Sequence, residues 1–152
     1  MTKIRISIPS EKFETTATLL ESEAPKTCRA MLRALPIEGY LMHAMMSGNE
    51  SAIVLRGKRM IKLEPENWVY GMVPGDVLYF YSMWGENKYL KDNTEYFEIV
   101  FIYGRYVRVR DLSLREAAAN LFARFDGKIE GFAKASQKVH DKGPMKLRIE
   151  KA

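Results

Sequence analysis

The chain contains one cysteine, Cys28, and two histidines, His43 and His140. One thiol cannot close an intrachain disulfide, and two isolated histidines form no metal-ligand cluster, so neither a disulfide framework nor a structural zinc site is expected. Long apolar runs are missing too. None approaches the ~18 residues that a membrane-crossing helix needs, and Met1 to Ser10 alternates charged and apolar residues where a secretory leader would carry an apolar core. The expected compartment is the cytoplasm, with no membrane partner. No internal repeat, low-complexity tract or linker interrupts the sequence. No Ser/His/Asp or Cys/His signature is present, and the glycines are too scattered for a phosphate-binding loop. No metal and no cofactor is therefore expected.

What remains is a chain of 152 residues, 47% of them hydrophobic, enough for a single domain spanning 1–152 with a core of ordinary size. Its net charge of +5 is uneven: residues 104–152 hold 12 Lys and Arg against 6 Asp and Glu, and residues 1–103 hold 12 against 13. A basic last third can mark a nucleic acid or another anionic partner. Here, however, Arg105, Arg108 and Arg110 alternate with Tyr106, Val107 and Val109 as on one wetted strand face, which favours solubility over a nucleic-acid partner. The oligomeric state stays open.

Lys3 to Ile8 alternates cleanly and Phe13 to Leu20 continues in β-branched and aromatic residues, which predicts a hairpin. Pro25 suits a first helical turn, and Cys28, Met31, Leu32 and Leu35 follow at i, i+3, i+4 and i+7 before Pro36, so a helix is expected over Pro25–Leu35. Strands are expected over Tyr40–Ser47, Ser51–Leu55, Met60–Leu63, Asp76–Met83, Phe97–Tyr103, Tyr106–Arg110, Leu121–Phe125 and Met145–Ile149. A second helix is expected over Gly131–Val139, with Phe132, Ala133, Ala135 and Val139 inward. Short strands with regular Gly and Pro punctuation indicate a barrel or sandwich. Trp84–Thr94, the longest polar stretch, is expected to be a mobile surface loop.

Several of these segments carry recognisable motifs. Glu23-Ala24-Pro25-Lys26-Thr27 opening a helix, Tyr40 to Gly48 as a strand, and Gly127-Lys128-Ile129-Glu130-Gly131 leading into the second helix resemble the corresponding parts of cyclophilins. His43-Ala44, Ser47-Gly48 with Glu50, Pro65-Glu66-Asn67, Pro74-Gly75-Asp76, Glu98-Ile99 with Tyr103-Gly104, and Asn120 before Phe122 are similar to a family of uncharacterised, mainly prokaryotic cyclophilin-like proteins. The resemblance implies a mainly β, closed antiparallel barrel of about eight strands with a helix plugging each end. It also places a ligand-binding groove where cyclophilins hold proline. Followed residue by residue, it puts Ala44 in place of the catalytic arginine. Met46, Asn49 and Glu50 fall at or near the proline pocket, Tyr81-Ser82 in the segment that presents backbone to a peptide, and Glu98 in place of a glutamine. Val100 replaces a pocket phenylalanine, and Asn120 stands where a histidine closes the pocket. The X-Pro barrier is about 20 kcal/mol, and losing one preorganised group aimed at transition-state charge costs roughly 3–4 kcal/mol. Efficient prolyl isomerase activity is thus not expected.

The residues themselves leave alternatives at each position. Side chains alternate along a strand, so if Ala44 faces the groove His43 faces the barrel interior, as a hydrogen-bonded structural histidine or as part of a second polar cluster with Ser47 and Tyr103. Glu98 interrupts an apolar strand. A carboxylate there must face water, pair with a cation or hold its proton. Asn120 reads as a turn cap or a groove amide, and Cys28 as a buried, inert thiol. Three functions follow: a binder of a small polar molecule or short peptide through Glu50, Tyr81, Glu98 and Asn120; a small-metabolite enzyme using Glu50 and Glu98 as acid and base; or a divergent peptidyl-prolyl isomerase.

Overall fold

The computed structural model describes residues 1–82, 96–110 and 115–152. The chain forms β1 (Lys3–Ile8), β2 (Phe13–Leu19), α1 (Pro25–Ala34), β3 (Ile37–His43), β4 (Glu50–Leu55), β5 (Trp68–Val69), β6 (Asp76–Tyr81), β7 (Phe97–Ile102), β8 (Ala119–Phe125), α2 (Ile129–Gln137), α3 (Val139–Lys142) and β9 (Met145–Lys151). All strand pairings are antiparallel, in the order β2-β1-β9-β3-β4-β7-β6-β8. Ala17, Thr18 and Leu19 of β2 pair with Phe125, Arg124 and Ala123 of β8, which closes these eight strands into a barrel. The two-residue β5 is appended to β8.

Period-two patterning accounts for half of the barrel. In β1, Ile4, Ile6 and Ile8 point inward and Lys3, Arg5 and Ser7 outward; in β9, Met145, Leu147 and Ile149 point inward. These strands face the core on one side and water on the other. The other half departs from that pattern, because β6, β7 and β8 are buried almost continuously. Their inner residues, such as Tyr79, Phe97, Phe101 and Phe122, join the barrel core. Their outer residues, Leu78, Phe80, Val100, Ile102 and Leu121, form a second apolar cluster under Val69, Met72, Val107, Val109 and Ala117. The barrel therefore has a core inside and a thinner apolar layer outside one wall.

Two expected strands are absent. Met60 to Leu63 runs across the end of the barrel, where Met60, Ile61 and Leu63 pack on the inner core and the Ile61 carbonyl accepts from the Tyr79 hydroxyl. Tyr106 to Arg110 is a loop, not a wetted strand: Tyr106 has φ 64°, Arg108 N–H bonds to the Ser47 carbonyl, and Val109 is buried in the outer layer. The third strand stops at His43 instead of Ser47, because the chain turns through Gly48 at φ 95°. Trp84–Thr94 lies outside the described residues.

α1 buries Thr27, Cys28 and Met31 against the barrel end; the Cys28 thiol donates to the Phe122 carbonyl, and burial pushes it up to about 11. The residue before the helix, Ala24, has no side chain with which to cap it. Glu66, 39 positions after Thr27, supplies the cap instead: its carboxylate accepts from Lys26 N–H at 3.1 Å, Thr27 N–H at 2.7 Å and the Thr27 hydroxyl at 2.9 Å. Burial would raise the Glu66 carboxyl, but these donors outweigh it and hold the group below its ordinary value. Asn120, fully buried, then locks the segment in place: its amide donates to Thr27 Oγ1 and the Glu64 carbonyl and accepts from Glu66 N–H. α2 buries Phe132 and Ala135, and α2 and α3 both pack on β3. No helix among the described residues is long and apolar enough to cross a membrane.

Asn120→Ala leaves the Glu66 amide, the Glu64 carbonyl and Thr27 Oγ1 without this partner in a part-buried site, so it is expected to cost about 1–3 kcal/mol in urea unfolding. Glu14→Gln on the exposed side of β2 should cost less than about 0.5 kcal/mol. Equal midpoints for the two variants would contradict this account of the buried network.

Candidate functional site

Strand register decides which side chains share the outer wall. Met42 pairs with Ala52, Ala52 with Val100 and Val100 with Leu78, so these four form one row across β3, β4, β7 and β6. One row along, Val54 pairs with Glu98 and Glu98 with Phe80. At the other end Glu50 pairs with Ile102, and Ala44 N–H bonds to the Glu50 carbonyl at 3.1 Å. Glu50 and Glu98 therefore lie on the same face with Ala52 and Val100 between them. Their rows are separated by about 14 Å along the strands, four residues at ~3.4 Å each.

Both carboxyl groups are held far from their ordinary behaviour. Glu50 is 6% exposed, and burial, reinforced by the charge of Glu98, raises it to about 7 against a weaker opposing hydrogen bond from Ser47. Burial also raises half-buried Glu98 to about 7, against the opposing charge of Arg56. The physical cause is the outer apolar layer, since a carboxylate beside Val100, Phe80 and Ile102 has little water to solvate its charge. Glu50 is further enclosed by the turn after β3: Tyr103 N–H bonds to the Asn49 carbonyl, the Asn49 amide donates to the Arg105 carbonyl, and Arg108 N–H bonds to the Ser47 carbonyl. Among the described residues, Glu50 Oε2 is left buried without a hydrogen-bond partner. Such an orphan is costly, since buried polar groups are as a rule hydrogen-bonded; among the described residues only Ser51 Oγ and Ser136 Oγ share this state.

The inner side of the same corner holds a second cluster. His43 faces inward beside Ser51. Its Nδ1 donates to the Ala44 carbonyl at 2.7 Å, which leaves Nε2 to accept from the Tyr103 hydroxyl. The His140 ring from α3 lies 4.0 Å from the His43 ring, centroid to centroid. Burial lowers His43, the Ala44 contact partly offsets it and His140 adds to it, so the neutral tautomer is the stable one at pH 7. Burial, with the charge of Glu50, raises Tyr103. Ser47 belongs to the Glu50 side of this corner.

The structure thus brings together Ala44, Asn49, Glu50, Glu98 and Val100 on or beside one wall, with Met46 exposed at its rim. It separates Tyr81 and Asn120 from them. Tyr81 stacks on Phe97 with ring centroids 4.3 Å apart, on the face opposite Glu98, and Asn120 is committed to the α1 network at the barrel end. Ser82 is tied to Tyr96 through its backbone N–H and its hydroxyl. Arg56 escaped sequence reasoning although it follows Ala52 and Val54 at a spacing of two, and His140 escaped it because nothing local announces a contact across 97 residues. Among the described residues no three His, Cys, Asp or Glu side chains gather as a metal site.

With this geometry established, comparison with other proteins adds a family and a fold. Residues 6–150 match a family described as protein of unknown function, DUF3830. McbB, solved in complex with tryptophan, is similar over 97% of this chain with a TM-score of 0.69 and 18% identity; the chain spans 44% of that protein's length. A hypothetical protein of Archaeoglobus fulgidus is similar over 99% of this chain and 95% of its own, with a TM-score of 0.58 and 20% identity. At these identities the likeness concerns the fold. No curated protein matches the sequence.

The raised carboxyls make a signed prediction about stability. Between pH 4.5 and about 7 the folded chain keeps protons on Glu50 and Glu98 that the unfolded chain has released, so their contribution to stability is present at acid pH and is lost as pH rises through that window. Glu50→Gln is expected to flatten the decline and to stabilise the protein at pH 8 by about 1–3 kcal/mol. Unfolding curves that move in parallel at pH 4.5 and pH 8 would contradict it.

Proposed function

The chain belongs to this family of unknown function, and from its own outer wall we propose that it binds a small polar molecule or a short peptide there. The ligand offers amine, amide or guanidinium groups to Glu50 and Glu98 and lays its apolar part over Ala52 and Val54. The observation that carries this reading is the buried, unpartnered Glu50 Oε2 on the same face as a second carboxyl raised to about 7. A hydrogen-bond donor arriving at the Glu50 end satisfies the orphan, and a second donor at the Glu98 end relieves the desolvation of that carboxyl. An anion would add to them. Tyr40 and Met42 continue the face onto β3 as exposed apolar side chains, a surface suited to the hydrocarbon part of such a ligand. McbB, of which 44% is similar in fold to this chain, was solved in complex with tryptophan, a molecule that joins an amine to an apolar ring.

In the same reading the barrel is of cyclophilin type and the wall is its former proline groove. Ala44 cannot donate a hydrogen bond to a prolyl nitrogen, and Glu50 and Glu98 make the groove unlike an apolar proline pocket. Turnover of a proline peptide is expected to fall about a thousandfold or more below that of ordinary cyclophilins. Ala44→Arg is expected to raise it; equal and efficient turnover by both proteins would overturn this part.

A second reading, acid-base catalysis on a small metabolite, is favoured by the two carboxyls near 7, where one group can both give and take a proton at neutral pH. Their separation makes them act at opposite ends of one ligand.

Binding is tested by mass spectrometry of small molecules retained by the purified protein and its Glu98→Gln variant, with Glu14→Gln as control. Retention lost in Glu98→Gln and kept in Glu14→Gln is the expected result. Identical retention in all three would remove Glu98 from the site.

A further inference from the structure

At the barrel rim, away from the carboxylate wall, α1 ends at Ala34, Pro36 turns the chain into β3, and a single turn over Gly57–Arg59 leads into the segment that crosses the barrel end. This junction leaves a cavity of about 620 Å³, within the roughly 300–1,000 Å³ of small-molecule sites. Its floor is apolar, made by Ala34, Pro36, Leu55, Met60 and Ile61. Its charged lining is unbalanced: Lys58, Arg59 and Arg148 against Glu38 alone.

The charges are not equivalent. Glu38 is already engaged by Lys146 at 3.2 Å and Arg148 at 3.5 Å, and Arg148 is shared with Glu150 at 3.0 Å. Arg59 donates one Nη1 hydrogen bond to the Glu38 backbone carbonyl, at 2.9 Å, which anchors its guanidinium while leaving the rest of the fork. Among the described residues, neither Arg59 nor Lys58 forms an ion pair. Two uncompensated cations thus stand over an apolar floor, one of them held in place by a backbone carbonyl.

We propose that this rim cavity is a second binding site, for a small organic anion whose carboxylate head meets Arg59 and Lys58 and whose apolar body lies on Leu55, Met60 and Ile61. The guanidinium fork suits a planar carboxylate better than a point charge would. A cation finds two like charges here, and a neutral alcohol leaves both cations uncompensated. The site takes ligands of opposite sign to those proposed for the Glu50 and Glu98 wall, so the two are separable by charge.

The test is a calorimetric titration of the intact protein with octanoate, octylamine and 1-octanol at low salt, with the binding site located by amide NMR shifts. Saturable binding of one octanoate, about tenfold or more tighter than either comparator, is expected, with shifts centred on residues 34–38 and 55–61. Arg59→Gln and Lys58→Gln, at exposed turn positions, should each weaken octanoate on the order of fivefold to tenfold. Glu98→Gln should leave octanoate binding unchanged. Octylamine binding as tightly as octanoate, octanoate shifts centred on the Glu98 wall, no saturable octanoate binding, or unchanged affinity in both cation variants would each overturn the inference.

Discussion

Leu78, Phe80, Val100, Ile102 and Leu121 leave the barrel on its outer side, and the chain has to cover them. It does so with the two-residue β5 and irregular segments, using Val69, Met72, Val107, Val109 and Ala117. That cover withdraws water from the two carboxyl groups at its margins. In a barrel with a wetted outer wall, Glu50 and Glu98 would be ordinary exposed glutamates. Here the same burial that stabilises five apolar side chains raises both acids to about 7. The chemistry of the wall follows from how that layer is packed.

Stability and site are separated in space. The buried polar groups of the α1 end, Asn120, Thr27 and Glu66, have hydrogen-bond partners that join helix, crossing segment and β8. The polar groups near the turn after β3 are not all so treated: among the described residues, Glu50 Oε2 and Ser51 Oγ are buried without partners. One end of the barrel is built as structure, and the other holds polar groups in a state that a ligand can improve. Gly48 is part of that arrangement. Its φ of 95° disfavours any side chain, and a Cβ there would lie 2.5 Å from the Tyr106 carbonyl oxygen, so only glycine lets the turn over Glu50 close against the 103–108 loop.

Much of the fold was legible because β1, β2 and β9 keep one wet face. Their period-two patterning, the helical spacing of Cys28, Met31 and Leu32, and the ordered cyclophilin-like motifs were enough to expect a closed antiparallel barrel with two helical caps. Strands buried on both faces lose their alternation, whereas Tyr106–Arg110 alternates Arg with Val yet is a loop, and Met60–Leu63 is a short apolar run that crosses the barrel end; local pattern does not separate these cases. The site was partly legible. Glu98 declared itself as a lone carboxylate in an apolar run, but separating it from Tyr81 required knowing that Phe80, not Tyr81, shares its face. Asn120 is adjacent in sequence to residues of the outer layer, yet it faces α1. Register is a property of pairing partners far apart in the chain, and a single strand does not contain it.

Carbon-detected NMR titration of the glutamate side chains in the folded protein reads directly whether the outer apolar layer holds two carboxyl groups protonated near neutrality. Glu50 and Glu98 are expected to titrate with midpoints near 7, well above exposed glutamates in the same spectra. Midpoints for both near the ordinary 4.5 would contradict it.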